Sequence, residues 1–395
     1  MMIGQSSVSR ETHQRSLARL GTFSVHHIVQ VVIFKLAKTE EKIHSLNNAI
    51  SMLENLFPKL EEVQADQIEV LCDDTFGGRH SVIASHTLAL ARQIQALEED
   101  DVQGLDDVNK LFSVVAVYFR RMELTDEAKV LYRVLARLSM WQKPIREDYL
   151  AEVMRNIGKV NFDMKNFEEA KSNFEKSIEL FTKVYGKDDP HVFYAMQGLG
   201  RVLHYAMETE AQSKEVEKHL LETLRRKEKY FRNREPGELD NYSIAHAMQQ
   251  LGRYYQKVED YEKAHHYFNE SLEKKKRNWQ RKYGTTKTVD IAVDMTNLAR
   301  NYLVKDGVNR DLHEAEKLLE EAYDIKRGKM LPKNESCQLA MYYLAVLYHE
   351  KQDTEKSKKY QGEIVLPYLK ELYETLKLTP MCHKKVYPPE KTFWL

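Results

Sequence analysis

The sequence predicts an all-α fold, a right-handed superhelix of stacked helix–turn–helix repeats. Three observations carry that expectation. Helix breakers are scarce, with 15 Gly and 9 Pro in 395 residues, while 30% of residues are charged. One segment pattern recurs along most of the chain. The breaks between its copies hold the residues that end one helix and begin another.

The pattern shows when EVMRNIGKVNFDMKNFEEAKSNFEKSIELF is laid on AHAMQQLGRYYQKVEDYEKAHHYFNESLEKK. Ile157-Gly158 falls on Leu251-Gly252, Phe167 on Tyr261, Ala170 on Ala264, Phe174 on Phe268 and Ser177 on Ser271. Four further copies carry Val115-Ala116 with Ala128 and Tyr132, Leu199-Gly200 with Val216 and Leu220, Leu298-Ala299 with Ala315 and Leu319, and Leu344-Ala345 with Ser357 and Gln361. Their small anchors are spaced by 42, 42, 52, 47 and 46 residues. Apolar positions fall at 3- to 4-residue steps within each half, so each unit reads as two amphipathic helices. Gly or Ala lets the two backbones approach, and the large apolar residue fills the space beside it. One pair cannot bury both its faces, so pairs stack.

Taken in order, residues 1–23 hold Arg10, Arg15 and Arg19 among serines with one acid, Glu11; they read as a disordered tail or a mitochondrial transit peptide. Residues 24–104 read as an N-terminal helical cap region. There Ile43, Leu46, Ile50, Leu53, Phe57 and Leu60 keep 3-4 spacing, but Pro58 interrupts it short of three heptads, so the segment should pack on the array instead of forming a coiled coil. Residues 65–104 read as one more irregular helical pair. Residues 105–366 hold the six repeats, 367–378 a C-terminal capping helix and 379–395 a tail. Between repeats, YGKDDPHVF offers Gly186 to end a helix, Asp188 or Asp189 to cap the next, and Pro190 for its first turn. REPGELDNYS, KYGTTKTVD and MLPKNES are equivalent breaks.

This pattern resembles the tetratricopeptide repeat, over about residues 105–365. SIELFTKVYGKDDPHVFYAMQGLG, with its G-x-D-x-P linker, and MTNLARNY are similar to the repeats of kinesin light chains. One linker keeps that form and three spacings exceed 42, so the likeness is to the family in the broad sense. It implies a binding groove for acidic linear motifs with an aromatic anchor, and cargo or complex assembly for microtubule motor transport.

Helical geometry nominates the groove residues. The residue after each small anchor is Val117, Lys159, Arg201, Arg253, Arg300 or Val346, and the middle four are basic. One turn earlier lie Arg155, Gln197, Gln249 and Thr296, with Asn156 and Asn297 adjoining. Neighbouring helices pack about 8–10 Å apart, so four cations span roughly 30 Å, the length of about nine extended residues. Arginine forks suit carboxylates, and the amides suit a ligand backbone. The competing expectation is that these cations pair with acids on neighbouring helices.

Other chemistry is weakly signalled. Lys+Arg and Asp+Glu both total 60, which argues against nucleic-acid binding by bulk charge. Cys72, Cys337 and Cys382 are far apart, without CxxC, which signals neither a zinc site nor a disulfide framework and suits a reducing compartment. No apolar run reaches the roughly 18 residues of a membrane helix. HExxH, P-loop and GxSxG motifs are absent, and GLGRVL lacks the third glycine of a dinucleotide fingerprint. No catalytic residue, metal or cofactor is expected. The runs RRKEKYFRNR and KKKRNWQRK, with Tyr230, Phe231 and Trp279, read as solvated helix ends more than as RNA contacts. The expected function is a cytoplasmic, non-catalytic adaptor for partner proteins with acidic linear motifs. The alternatives are a mitochondrial assembly factor on the same repeats and an RNA-binding protein.

Overall fold

The computed structural model describes residues 39–56, 74–98, 108–121, 124–141, 145–232, 242–303, 310–330, 332 and 334–378. Among the described residues every regular element is an α-helix. Two helices come first, α1 (Thr39–Leu56) and α2 (Asp74–Gln95). Six pairs follow, each a helix A and a helix B. They are α3 (Asn109–Arg121) with α4 (Thr125–Trp141), α5 (Glu147–Asp163) with α6 (Phe167–Tyr185), and α7 (Pro190–Ala206) with α8 (Glu210–Arg232). Then come α9 (Tyr242–Lys257) with α10 (Tyr261–Tyr283), α11 (Val289–Tyr302) with α12 (Leu312–Lys329), and α13 (Glu335–Glu350) with α14 (Thr354–Glu363). The last helix is α15 (Pro367–Leu378).

Local chemistry sets the turns. Three A-to-B turns hold a non-glycine residue with positive φ, Lys165 (63°), Glu259 (65°) and Gln352 (61°), at one register position of their repeats. The next residue then returns its N–H to a carbonyl of the ending helix: Asn166 to Asn161 (2.8 Å), Asp260 to Tyr255 (2.9 Å) and Asp353 to Tyr348 (2.9 Å). Asp260 and Asp353 go on to cap helix B, accepting from the backbone N–H of Lys263 (3.1 Å) and Lys356 (3.0 Å). Between α6 and α7, Gly186 takes φ 87° and ψ 159°, a region suited to glycine. Asp189 is the cap that forms, accepting from His191 N at 2.9 Å ahead of Pro190. Thr288 and Asn334 cap α11 and α13 in the same way. Residues 234–241 of the REPGELDNYS break lie outside the described residues.

The small anchors face the residues the pattern assigns to them. A Cβ on Gly252 would lie 2.6 Å from Phe268 Cδ1, one on Gly200 2.7 Å from Leu220 Cδ2, and one on Gly158 3.1 Å from the Phe174 ring. Gly198, which the repeat template did not single out, is tighter: its Cβ would sit 2.1 Å from Phe174 Cε1, so that ring is wedged between α5 and α7. Ser177 and Ser271 donate from helix B to the carbonyls of Ala151 and Ala245, each at 2.8 Å. The last repeat departs from the template. Tyr360, not Gln361, is the buried residue there; it stacks on Tyr348, while the half-buried Gln361 bonds Glu374 at 2.7 Å.

Each helix A also packs on the next helix A, from α5 through α7, α9 and α11 to α13, whereas successive B helices touch weakly at most. The closer-spaced layer lies on the inside of the curve, so the A helices line the concave face of an all-α repeat superhelix. At the N-terminal end, Leu46 and Ile50 of α1 share a buried cluster with Ile83, Leu90, Phe112 and Leu131. Arg137 of α4 clamps the end of α2, donating to Gln95 O (2.6 Å) and Leu97 O (2.6 Å) with its guanidinium over Trp141. Residues 1–38, Phe57 and Leu60 fall outside the described residues. Of 65–104, α2 and the residues just after it are described.

These contacts order three substitutions. Gly198→Ala should destabilise most, Gly252→Ala by about 1–3 kcal/mol, and Gly158→Ala least, since the added methyl meets progressively more room. Urea unfolding of the three variants checks the order.

Candidate functional site

The four basic residues expected in the groove come from α5, α7, α9 and α11. Lys159, Arg201 and Arg300 are half-buried and Arg253 is 2% exposed. Lys159, Arg201 and Arg253 form one electrostatic neighbourhood. Burial, with the repulsion of Arg155 and Arg120, holds Lys159 well below the usual lysine range, against the pull of Glu152. Burial likewise lowers Arg201 to about 9, with Asp163 opposing and Arg120 and Arg253 adding repulsion. Arg155 pairs with Glu152 on its own helix, and Asn156 bonds the same carboxylate at 3.3 Å. Burial pushes Glu152 up, but Arg155 and Lys159 outweigh it and hold the carboxyl below its ordinary value. Lys159 donates to Asn156 Oδ1 at 3.2 Å. Arg120 pairs with Asp163 at 3.6 Å, and the Arg201 guanidinium lies 4.5 Å over the Phe162 ring.

The polar partners divide. Gln197 is half-buried and accepts from Lys227 Nζ at 2.5 Å. Gln249 is buried and donates to Asp294 across the α9–α11 contact, so its amide nitrogen is turned inward. Thr296 accepts from Lys326. Asn297 is 5% exposed, and its amide nitrogen makes no hydrogen bond among the described residues. At the ends of the row Val117 is half-buried and Val346 buried.

Sequence reasoning missed three groups here. Tyr194 on α7, two turns before Arg201, is 46% exposed, with the Arg155 guanidinium and Lys227 Nζ each 5.8 Å from its ring centre. His246 occupies the matching place on α9, and burial together with Lys275 holds its pKa down to about 3, so it is neutral. The third group is a set of fully buried lysines, Lys227, Lys275 and Lys326. Lys227 and Lys275 belong to the two basic runs expected to be solvated; they are exceptions, since Arg225, Lys229, Arg232, Arg281 and Lys282 in those runs are exposed. Their aromatics also turn inward: Trp279 is buried and Tyr230 sets its edge on Phe193. The signal was available in the register, since each lysine follows Leu220, Phe268 or Leu319 by two helical turns and so lies on the buried face.

Lys275 centres a closed network. Its Nζ lies 3.1 Å from both Asp290 and Asp294; Ser271 meets Asp294 at 2.7 Å, and His246 stands 3.8 Å from Asp290. Burial pushes Asp294 up, while Lys275 and His246 hold Asp290 down against its own burial.

Models of the tetratricopeptide repeat match residues 149–228 and 245–276. Those two stretches of the chain are tetratricopeptide repeats. Both matches fall on repeats that carry the row. Among solved structures, the Rap conjugation gene regulator of plasmid pLS20 in complex with the Phr* peptide is 10% identical, at a TM-score of 0.52, over 84% of this chain and 87% of that one. The nearly identical tetratricopeptide-like repeats described as a Podosopora anserina kinesin light chain are 16% identical, at 0.42, over 55% and 94%. BtubC (BKLC) from P. vanneervenii is 14% identical, at 0.45, over 74% and 92%. No curated protein sequence matches the chain. No described helix is long and apolar enough to cross a membrane.

Lys275 separates two buried carboxylates. Lys275→Met would leave Asp290 and Asp294 facing each other in the interior, and should cost about 3–5 kcal/mol. Asp294→Asn keeps the shape and should cost less. Denaturant midpoints of the two variants check this.

Proposed function

We propose that the chain is a non-catalytic adaptor in the cytoplasm, which holds an acidic linear segment of a partner protein along the cations of its A helices. The observation that carries this is the crowding of Arg120, Arg155, Lys159, Arg201 and Arg253 on one concave face, with Glu152 and Asp163 as their facing acids. Positive charge is in excess there, and in a partly desolvated groove it attracts carboxylates more strongly than on open surface. Tyr194 adds an exposed ring between two cations, a place for an aromatic side chain flanked by acids. A peptide ligand accords with the Rap structure of similar fold, which is described with a bound peptide. The resemblance to kinesin light chains makes cargo or complex assembly for motor transport the specific version of this function.

Charge reversal tests it. Arg201 and Arg300 are the residues to change, because the nearly buried Arg253 could not take a carboxylate without disturbing the fold. Full-length Arg201→Glu/Arg300→Glu should keep its helical circular dichroism and lose acidic partners from a lysate pull-down, with direct binding weakened roughly tenfold or more and less sensitive to salt. An unchanged partner list from the folded variant would remove the groove function.

A further inference from the structure

Three B helices carry a lysine at one register position: Lys227 on α8, Lys275 on α10 and Lys326 on α12. All three are fully buried, and each Nζ reaches into the A layer. Lys227 donates to Gln197 Oε1 on α7 (2.5 Å) and to Ser243 O on α9 (3.0 Å). Lys326 donates to Thr296 Oγ1 on α11 (2.8 Å) and to Ser336 O on α13 (3.2 Å). Gln197 and Thr296 occupy the same place in their repeats, as do Ser243 and Ser336. Lys275 differs. At its matching contact the chain has Asp290, and Asp294 joins it, so that ammonium is neutralised. Among the described residues Lys227 and Lys326 have uncharged oxygens where Lys275 has two carboxylates. The outer rungs thus hold a lysine without a facing carboxylate, and the middle rung a lysine between two.

The two uncompensated lysines lie directly under the row. Lys227 bonds Gln197, one turn before Arg201, and sits against the exposed ring of Tyr194. Lys326 feels Arg253. A buried charge without a counter-charge is costly. An anion laid on the groove floor would relieve that cost at the two outer rungs and find nothing to relieve at the middle one.

We propose that Lys227 and Lys326, buried two repeats apart beneath the groove behind Gln197 and Thr296, respond to the acidic side chains of the bound segment, so that binding takes up protons. This rests on the acidic-segment function above. Burial lowers both lysines to about 7 in the empty groove. A carboxylate beside them raises that value, so binding is tightest below about pH 6 and weakens as pH rises through 7. Facing Lys227 are Tyr194 and Gln197 from α7 and Ser243 and His246 from α9. Facing Lys326 are Thr296 from α11, Arg253 from α9, and Ser336 and Cys337 from α13. His246 is already neutral near 3, and burial raises the Cys337 thiol, so neither changes charge between pH 6 and 8. Burial and the repulsion of Arg155 also lower Lys159 on α5.

Calorimetry of the full-length chain with decaglutamate at pH 7, in phosphate and in Tris, counts the protons from the difference in buffer heats. The expected uptake is about half a proton at each of the two lysines. Affinity should fall roughly tenfold or more between pH 6 and 8. Lys227→Met/Lys326→Met should cut the uptake by at least half and flatten that fall. Arg201→Gln should weaken binding with the proton count unchanged. Binding by the wild type without proton uptake overturns the proposal, as does undiminished uptake in the folded double variant. The wild-type count decides even if the double variant fails to fold. No decaglutamate binding at all overturns the groove function on which this rests.

Discussion

Within each repeat, helices A and B approach so closely that a hydrogen or a methyl group on helix A faces a large apolar side chain on helix B. That contact sets everything above it. Phe174 shows it most fully, since the one ring lies against Gly158 of its own repeat and Gly198 of the next. A single side chain therefore fixes the spacing inside a repeat and between two repeats. Once the A helices are stacked in this way, the residue after each anchor must recur along one concave line. The alignment of Lys159, Arg201, Arg253 and Arg300 is a consequence of packing before it is a property of charge.

Charge then constrains packing in return. Placing several cations in a partly desolvated layer is unfavourable unless something neutralises them. The chain uses three devices. Glu152 and Asp163 pair with the cations of α3 and α5. Asp290 and Asp294 close the Lys275 network. Phe162 lies under Arg201, where the ring face attracts the guanidinium. What these devices leave unneutralised is concentrated under and along the groove, and there an acidic segment has most to offer.

Much of this was legible in the sequence, because the anchors, caps and breaks are short-range. Gly186, Asp189 and Pro190 act through backbone conformation and local hydrogen bonds, which the residues dictate by themselves. The same holds for Ala170, Phe174, Ala264 and Phe268, buried as their spacing requires. The buried lysines were illegible to a reading by charge runs, since Lys227 and Lys275 sit among exposed cations and helix position alone separates them. Gln249 was nominated for its face, but its role is set by Asp294, forty-five residues away and on another helix. Tyr194 carried no local signal. It is exposed where His246, at the matching place in the next repeat, is half-buried, a difference the repeat pattern does not encode.

The central claim is that the A-helix row is the surface a partner touches. The most direct measurement replaces Tyr194 by a photo-crosslinking phenylalanine in the full-length chain, irradiates it in cells, and sequences the attached peptide. The account predicts a segment rich in Asp and Glu whose capture is lost in Arg201→Glu/Arg300→Glu. Crosslinks to segments without acidic residues, or capture unaffected by that charge reversal, would contradict it.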